Sequence, residues 1–219
     1  MPRPWVLASR NAGKLRELRA LFATHGIEAI DLREAGVPVE PDAEEVIEAF
    51  DTFEENALAK ARYFSARLPG RIVVADDSGL AVEALHGAPG VRSKRWSGRS
   101  DLAGRALDAS NNALLLAKLH GQANRGARFV CAAAWCDGVS DLVARGEVSG
   151  RIVDAPNGEH GFGYDPHVYV DDLGTTMAGA TVAEKEAVSH RGRAFSLLFG
   201  ALRERGLLRS PHTGAGGGS

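Results

Sequence analysis

Cysteine is scarce in this 219-residue chain, with only Cys131 and Cys136 present. They sit five apart in the apolar stretch Phe129–Cys136, and an extended strand would point them to opposite faces, which argues against a disulfide between them. No further Cys or His stands at zinc-ligand spacing, so two reduced core thiols are expected. Long apolar runs are missing too: nothing approaches the roughly 20 residues needed to cross a bilayer. The start, Met1-Pro-Arg-Pro-Trp5, passes into strand-like sequence without the apolar region of a signal peptide, so the expected compartment is the cytoplasm and no membrane partner is expected. An excess of one charge is also lacking. Lys and Arg total 26 against 28 Asp and Glu, a net charge of −2, so no general positive field would recruit nucleic acid. An anionic ligand has to be held by a local cluster. Internal repeats and dividing linkers are absent as well. One domain over residues 1–208 is expected, followed by a flexible Gly-rich tail over 209–219.

What is present is an alternation of strand-like and helix-like segments. Trp5–Ala8 reads as a short buried strand, followed by a helix with Leu15, Leu18, Leu21 and Phe22 on one face. Glu28–Leu32 reads as a second strand, and the acidic, Pro-interrupted stretch 34–51 as a loop. Thr52 with Glu55 has the spacing of a capping box ahead of a helix carrying Ala57, Leu58, Ala61 and Phe64. Arg71–Ala75 is a compact apolar strand that is expected to stop at Asp76-Asp77-Ser78-Gly79, an Asp-rich turn. A helix over 102–120 follows a loop rich in Gly, Pro and Arg. Residues 127–137 and 141–153 read as a hairpin about Asp137-Gly138, and 167–170 as another strand. Thr181 with Glu184 is a second capping box, and a last helix spans 192–205. Strands alternating with helices early and a hairpin later point to an α/β fold around a mixed sheet.

Four segments carry groups suited to phosphate or base recognition. Ser9-Arg-Asn-Ala-Gly-Lys14 lies between a strand and a helix, where backbone N–H groups attract anions, Ser9 and Asn11 are donors, and Lys14 is a point charge. Its plainer reading is an ordinary helix cap. Asp76 and Asp77 are adjacent carboxylates that repel unless a cation lies between them, and hard cations such as Mg²⁺ take such oxygens together with substrate phosphates. Gly161-Phe162-Gly163-Tyr164-Asp165-Pro166 flanks an aromatic ring with glycines, which clears space for a planar ligand; a core-filling turn is the alternative. Glu184–Arg191 offers Lys185, His190 and Arg191, either as anion donors or as a charged helix face.

Together these segments resemble the inosine/xanthosine triphosphate pyrophosphatase family (XTP/dITP diphosphatases, or Ham1-like proteins) from about Val6 to Leu202. The resemblance rests on Ser9-x-Asn-x-x-Lys14, Thr52-Phe-x-Glu-Asn-Ala57 with Lys60, and Ala75-Asp-Asp-Ser-Gly-Leu80. It extends to Gly87-Ala-Pro-Gly-Val91, Arg95-Trp-Ser-Gly98, Gly161–Pro166 and Glu184-Lys-x-x-x-Ser-His-Arg191. It implies an elongated mixed sheet flanked by helices, with two lobes around a central cleft. It also implies magnesium-dependent hydrolysis of ITP, dITP and XTP to the monophosphate and pyrophosphate, removing deaminated purines from the nucleotide pool, and a homodimer. On the matching positions, Ser9, Asn11, Lys14 and Lys60 would line the triphosphate site. Asp77 would be the catalytic acid or base and a metal ligand, with Asp76 beside it and Ser78 near the substrate. Phe162, Gly163, Tyr164 and Asp165 would form the base pocket, completed by Lys185, His190 and Arg191.

Two departures stand out. The family carries a glutamate metal ligand just before Thr-Phe; here the stretch is Glu48-Ala-Phe-Asp51 after a longer loop, so Glu48 is the best match, with Glu40, Glu44 and Glu45 as alternatives. His160 replaces a common glycine at the rim of the base pocket. Competing readings are a Maf-type nucleotide pyrophosphatase and a nucleotide sensor without turnover. The local basic loop Arg92, Lys94, Arg95 and Arg99 is expected to guard the cleft or face a partner subunit.

Overall fold

Seven strands form one mixed sheet in the computed structural model, which describes residues 3–40, 44 and 46–209. In chain order the elements are β1 (Trp5–Leu7), α1 (Ala12–Thr24), β2 (Ala29–Asp31), α2 (Phe53–Arg67), β3 (Val73–Val82) and α3 (Gly104–Lys118). They continue with β4 (Gly126–Cys136), β5 (Asp141–Ile152), β6 (Val168–Val170), β7 (Thr175–Thr176), α4 (Val182–Val188) and α5 (His190–Glu204). The sheet order is β2-β1-β3-β4-β5-β6-β7. β1 is parallel to β2 and β3, and every later pairing is antiparallel. The expected α/β class around a mixed sheet is therefore what the chain adopts. The Gly-rich tail lies outside the described residues, apart from Arg209. No described helix is long and apolar enough to cross a membrane.

Side-chain alternation divides the core between the two faces of the sheet. On one face Leu18, Leu21 and Phe22 of α1 meet Phe195, Leu198, Phe199 and Leu202 of α5 over Leu7, Val74, Cys131, Ala133 and Trp135. On the other, Ala57, Ala61 and Phe64 of α2 pack on Val6, Val73, Ala75, Ala132, Ala134 and Cys136. The two cysteines are free and buried, and they fall in these two opposite clusters, as their spacing predicts. A third cluster around Leu80, Val82, Leu115, Leu119, Phe129 and Val168 covers the far ends of the long strands.

The helix starts follow from their caps. Thr52 Oγ1 accepts from Glu55 N at 3.2 Å, although its own hydroxyl donates to the Glu55 carboxylate, so the reciprocal half of that box is replaced. At Thr181 both halves are present. The hairpin between β4 and β5 turns on Asp137, whose Oδ1 accepts from Val139 N at 2.8 Å and Ser140 N at 2.7 Å. The short edge strand β7 carries no readable period and was not expected.

One expectation is overturned. The strand that was to stop at Ala75 continues through Asp76-Asp77-Ser78-Gly79 to Val82, paired with β4 from Val73–Cys136 to Val82–Ala127. Asp and Gly are poor strand formers, but an unbroken antiparallel partner outweighs that local preference. Gly79 is required there because a Cβ would come within 2.5 Å of the Gly90 carbonyl oxygen and collide with Ser93 Oγ. Gly79→Ala is expected to destabilise the fold by about 1–3 kcal/mol, measured as a drop in the denaturant midpoint. A neutral effect would show that the segment at Gly90 yields freely.

Candidate active site

β1 pairs with β3 only at Val73 and Val74, so β3 runs on beyond its neighbour with an open edge inside the sheet. Backbone groups on that edge need partners. Val74 O still accepts from Ala8 N at 2.7 Å. Beyond it side chains take over: Lys60 Nζ donates to Asp76 O at 2.9 Å, Ser78 N to Asp77 Oδ1 at 3.0 Å and Leu80 N to Ser93 Oγ at 2.8 Å. Val82 N returns to a backbone acceptor, Ala88 O, at 3.1 Å. The gap between the end of β1 and the helical turn Gly90–Arg95 is a cleft of about 480 Å³. It is lined by Ser9, Asn11, Lys14, Glu48, Lys60, Asp77 and Ser78 at one end. Phe129, Phe162, Tyr164, Asp165, Lys185, His190 and Arg191 line the other end.

The two aspartates do different things because strand neighbours face opposite sides of a sheet. Asp76 was expected beside Asp77 in the catalytic group; instead it turns away from the cleft, 1% exposed, toward α1 and α5. There Lys14 Nζ lies 3.1 Å and Arg191 Nη2 3.2 Å from its Oδ2. Arg191 also pairs with Glu17 and donates to Ser78 Oγ at 3.0 Å. Burial opposes ionisation of Asp76, but Lys14, Arg191 and Lys60 together hold it well below the ordinary carboxylate range. Asp77 faces α2 and the cleft, accepting from Asn56 Nδ2 at 3.0 Å. Burial and the nearby Glu48 charge push it up, against Lys14 and Lys60.

Glu48, on the short helical turn before α2, pairs with Lys60. Burial works against its ionisation, yet Lys60, Lys14 and Lys94 lower its pKa overall. Of the alternative glutamates, Glu44 lines the cleft but is tied to Arg10 at 2.8 Å, Glu40 pairs with Arg67 at 3.4 Å, and Glu45 lies outside the described residues. No group of three or more His, Cys, Asp or Glu gathers at metal-binding distance among the described residues. Asp77 and Glu48 are instead two hard oxygen donors, close enough to feel each other's charge. That is the small carboxylate set Mg²⁺ uses when phosphate oxygens complete its shell.

The start of α1 takes the plainer of its two readings, an ordinary helix cap. Asn11 Oδ1 accepts from Gly13 N at 2.8 Å and Lys14 N at 3.1 Å, so these N–H groups are already occupied, and the positive charge that this segment brings to the cleft is Lys14. Against Gly13 lies the ring of Phe162, whose Cδ1 would stand 2.6 Å from a Cβ there. Phe162 sits on the turn between Gly161 and Gly163, both with positive φ of 86° and 62°. Asp165 Oδ2 closes the turn, accepting from Phe162 N at 3.2 Å and from Lys185 Nζ at 2.8 Å. Behind them His190 stacks on Phe129, centroids 4.9 Å apart.

Residues 5–201 match the Ham1 family. The chain belongs to the Ham1 family. It is 50% identical to a dITP/XTP pyrophosphatase of Frankia alni over 204 residues, covering 91% of this chain and 96% of that protein. A dITP/XTP pyrophosphatase of Burkholderia pseudomallei is also 50% identical, covering 91% and 93%. Among solved structures, the Ham1 protein of Staphylococcus aureus superposes with a TM-score of 0.75 at 37% identity, covering 93% of this chain and all of that one. A nucleoside-triphosphatase / dITP/XTP pyrophosphatase of Mycobacterium abscessus reaches 0.67 at 44% identity, covering 90% and 98%.

Within this Ham1 fold the residues given catalytic, substrate or metal roles from the sequence all line one cleft except Asp76, which anchors Lys14 and Arg191 from behind; of the basic loop, Lys94 and Arg95 line it. His160 is an exposed loop residue that lines a neighbouring cavity of about 380 Å³ with Arg16, Arg105 and Glu159, nearer to a solvated loop histidine than to a part of the pocket rim. Glu17, Asn56, Asp108 and Asn112 were missed. Asn56 stands inside the Thr52–Ala57 motif but was given no role there; Glu17, Asp108 and Asn112 are single polar residues in helices read for their apolar stripes, and nothing local marks them.

The buried His190 makes a pH-dependent contribution to stability. Burial and the adjacent Arg191 hold its pKa well below the ordinary value, so the folded chain resists a proton that the unfolded chain accepts near about pH 6.5. Its contribution is complete above that pH and declines as pH falls, by at most about 1.4 kcal/mol per pH unit. Denaturant midpoints of the wild type and His190→Asn between pH 7.5 and 5.5 check this. The variant is expected to lose less stability on acidification, and parallel curves would exclude the effect.

Proposed function

We propose that this chain hydrolyses dITP, XTP and ITP to the monophosphate and pyrophosphate at this cleft, with Mg²⁺ held by Asp77 and Glu48. The observation that carries the reading is the opposition of charges across the open edge of β3. Lys14 and Lys60 stand against Asp76, Asp77 and Glu48 at one end of a cleft whose other end presents Phe162, Asp165 and Lys185. When bound, Mg²⁺ neutralises phosphate charge and lowers the pKa of water. The chain's own groups supply the rest. Asp77 orients the attacking water toward the α-phosphorus and takes its proton. Lys60 exchanges its Glu48 partner for phosphate oxygens, while Lys14, still held by Asp76, turns its remaining N–H donors to them, and both meet the charge that grows on the leaving pyrophosphate. Asp76 keeps Lys14 and Arg191 aimed.

At the base end, the Lys185 ammonium gives one of its three N–H donors to Asp165. Its remaining donors suit the 6-keto oxygen of hypoxanthine or xanthine, whereas a 6-amino group would leave them unpaired. The homodimer implied by the resemblance is part of the proposal, to be read from the solution mass.

Two measurements test the reading. Chelation is expected to abolish pyrophosphate release, and kcat/KM should favour XTP and dITP over dATP by orders of magnitude; preference for dATP or full activity in chelator would overturn it. Asp77→Asn is expected to lower kcat by about 10²–10⁴-fold. Because the folded Asp77 pKa is raised, its charge opposes folding at neutral pH. The variant should therefore melt no lower than the wild type in chelator, and a lower melting point would refute that sign.

A further inference from the structure

The turn expected to hold the base is gripped from a helix that the catalytic reading leaves unused. On α3, Asp108 and Asn112 stand four residues apart, so both project from one face. Asp108 Oδ2 accepts from Gly163 N at 2.9 Å, and Asn112 Nδ2 donates to Gly163 O at 2.9 Å. The two peptide units flanking Gly163 are thus held by one acceptor and one donor. The turn is also fastened by its own backbone bond from Asp165 N to Phe162 O at 3.3 Å, by the Asp165 carboxylate on Phe162 N, and by Tyr164 OH, which donates to Ser93 O at 2.8 Å. α3 is itself tied to the cleft wall, since Asn111 Oδ1 accepts from Ser97 N at 2.8 Å and its Nδ2 donates to Lys94 O at 3.1 Å. One helix therefore connects the wall along β3 to the turn carrying Phe162.

We propose that Asp108, seconded by Asn112, is a positioning residue that sets the Phe162–Asp165 turn against the phosphate end of the cleft and thereby determines base affinity and selectivity. The inference rests on the nucleotide pyrophosphatase reading of this cleft. Gly163 has a positive φ and no side chain of its own to fix it, so apart from the long Asp165 N to Phe162 O bond that spans it, its peptides are held by Asp108 and Asn112. Removing the acceptor frees the peptide that follows Phe162, so the ring loses its placement against Gly13 while Asp77, Lys14 and Lys60 keep theirs.

The test compares Asp108→Ala, Asp108→Asn and Asn112→Asp with the wild type. The readouts are kcat and KM for dITP, the dITP-to-dGTP ratio of kcat/KM, and inhibition by pyrophosphate, which occupies only the phosphate end. Asp108→Ala is expected to raise KM for dITP about tenfold and compress the base ratio, with kcat within about threefold and pyrophosphate inhibition within about twofold. Asp108→Asn keeps an acceptor oxygen and should stay close to wild type; Asn112→Asp sets a carboxylate against Gly163 O and should behave like Asp108→Ala. Amide hydrogen exchange over 161–165 should quicken in Asp108→Ala alone among segments of the cleft, a readout independent of turnover. Unchanged KM, pyrophosphate inhibition weakening in step with KM, or equal losses in Asp108→Asn and Asp108→Ala would each overturn the inference. Absence of dITP turnover in the wild type would instead refute the functional reading, leaving the exchange result to judge the clamp.

Discussion

The site depends on a strand edge left open in the interior of a sheet. β1 ends while β3 continues, and the backbone groups of β3 beyond that point have no strand to bond. An unpaired buried N–H or C=O costs more than a typical hydrogen bond returns, so such an edge persists only if something answers it. Lys60, Asp77 and Ser93 do so in turn. All three of these groups also line the cleft, so the folding requirement and the chemical one fall on the same side chains.

Charge follows from that geometry. Because β3 continues as a strand, Asp76 and Asp77 are placed on opposite faces and acquire opposite pKa shifts from nearly the same set of cations. Asp76, enclosed by Lys14 and Arg191, is a permanent anion that aims its partners. Asp77, opposite Glu48 and facing the cleft, carries the charge that a divalent cation would relieve. Two adjacent residues of one type thus separate into a buried anchor and a cleft-facing carboxylate through strand period alone.

The two ends of the cleft are joined mechanically. Arg191 contacts Asp76 and Ser78 and lies 5.9 Å from the centre of the Phe162 ring, while α3 reaches the base turn through Asp108 and Asn112 and the cleft wall through Asn111. Both connections are polar, and both depend on residues distant in sequence.

What the sequence by itself determined was local: the helices with apolar faces and caps, the hairpin about Asp137, the separation of the two cysteines, and the clustered motifs whose resemblance identified the family. Each is written within a few consecutive residues. Only the tertiary structure decided that Asp76-Asp77-Ser78-Gly79 is strand rather than turn. β4 supplies the partner, and nothing between residues 71 and 80 records its presence. For the same reason it alone decided that Glu48 rather than Glu40 faces Lys60, that Asn11 caps its helix and does not leave the end open, and that Asp108 and Asn112 hold a glycine more than fifty residues away. Periodicity reports which face of an element is buried. It is silent about which polar side chain on that face meets a distant backbone group, because the meeting is set by packing and not by neighbours in the chain.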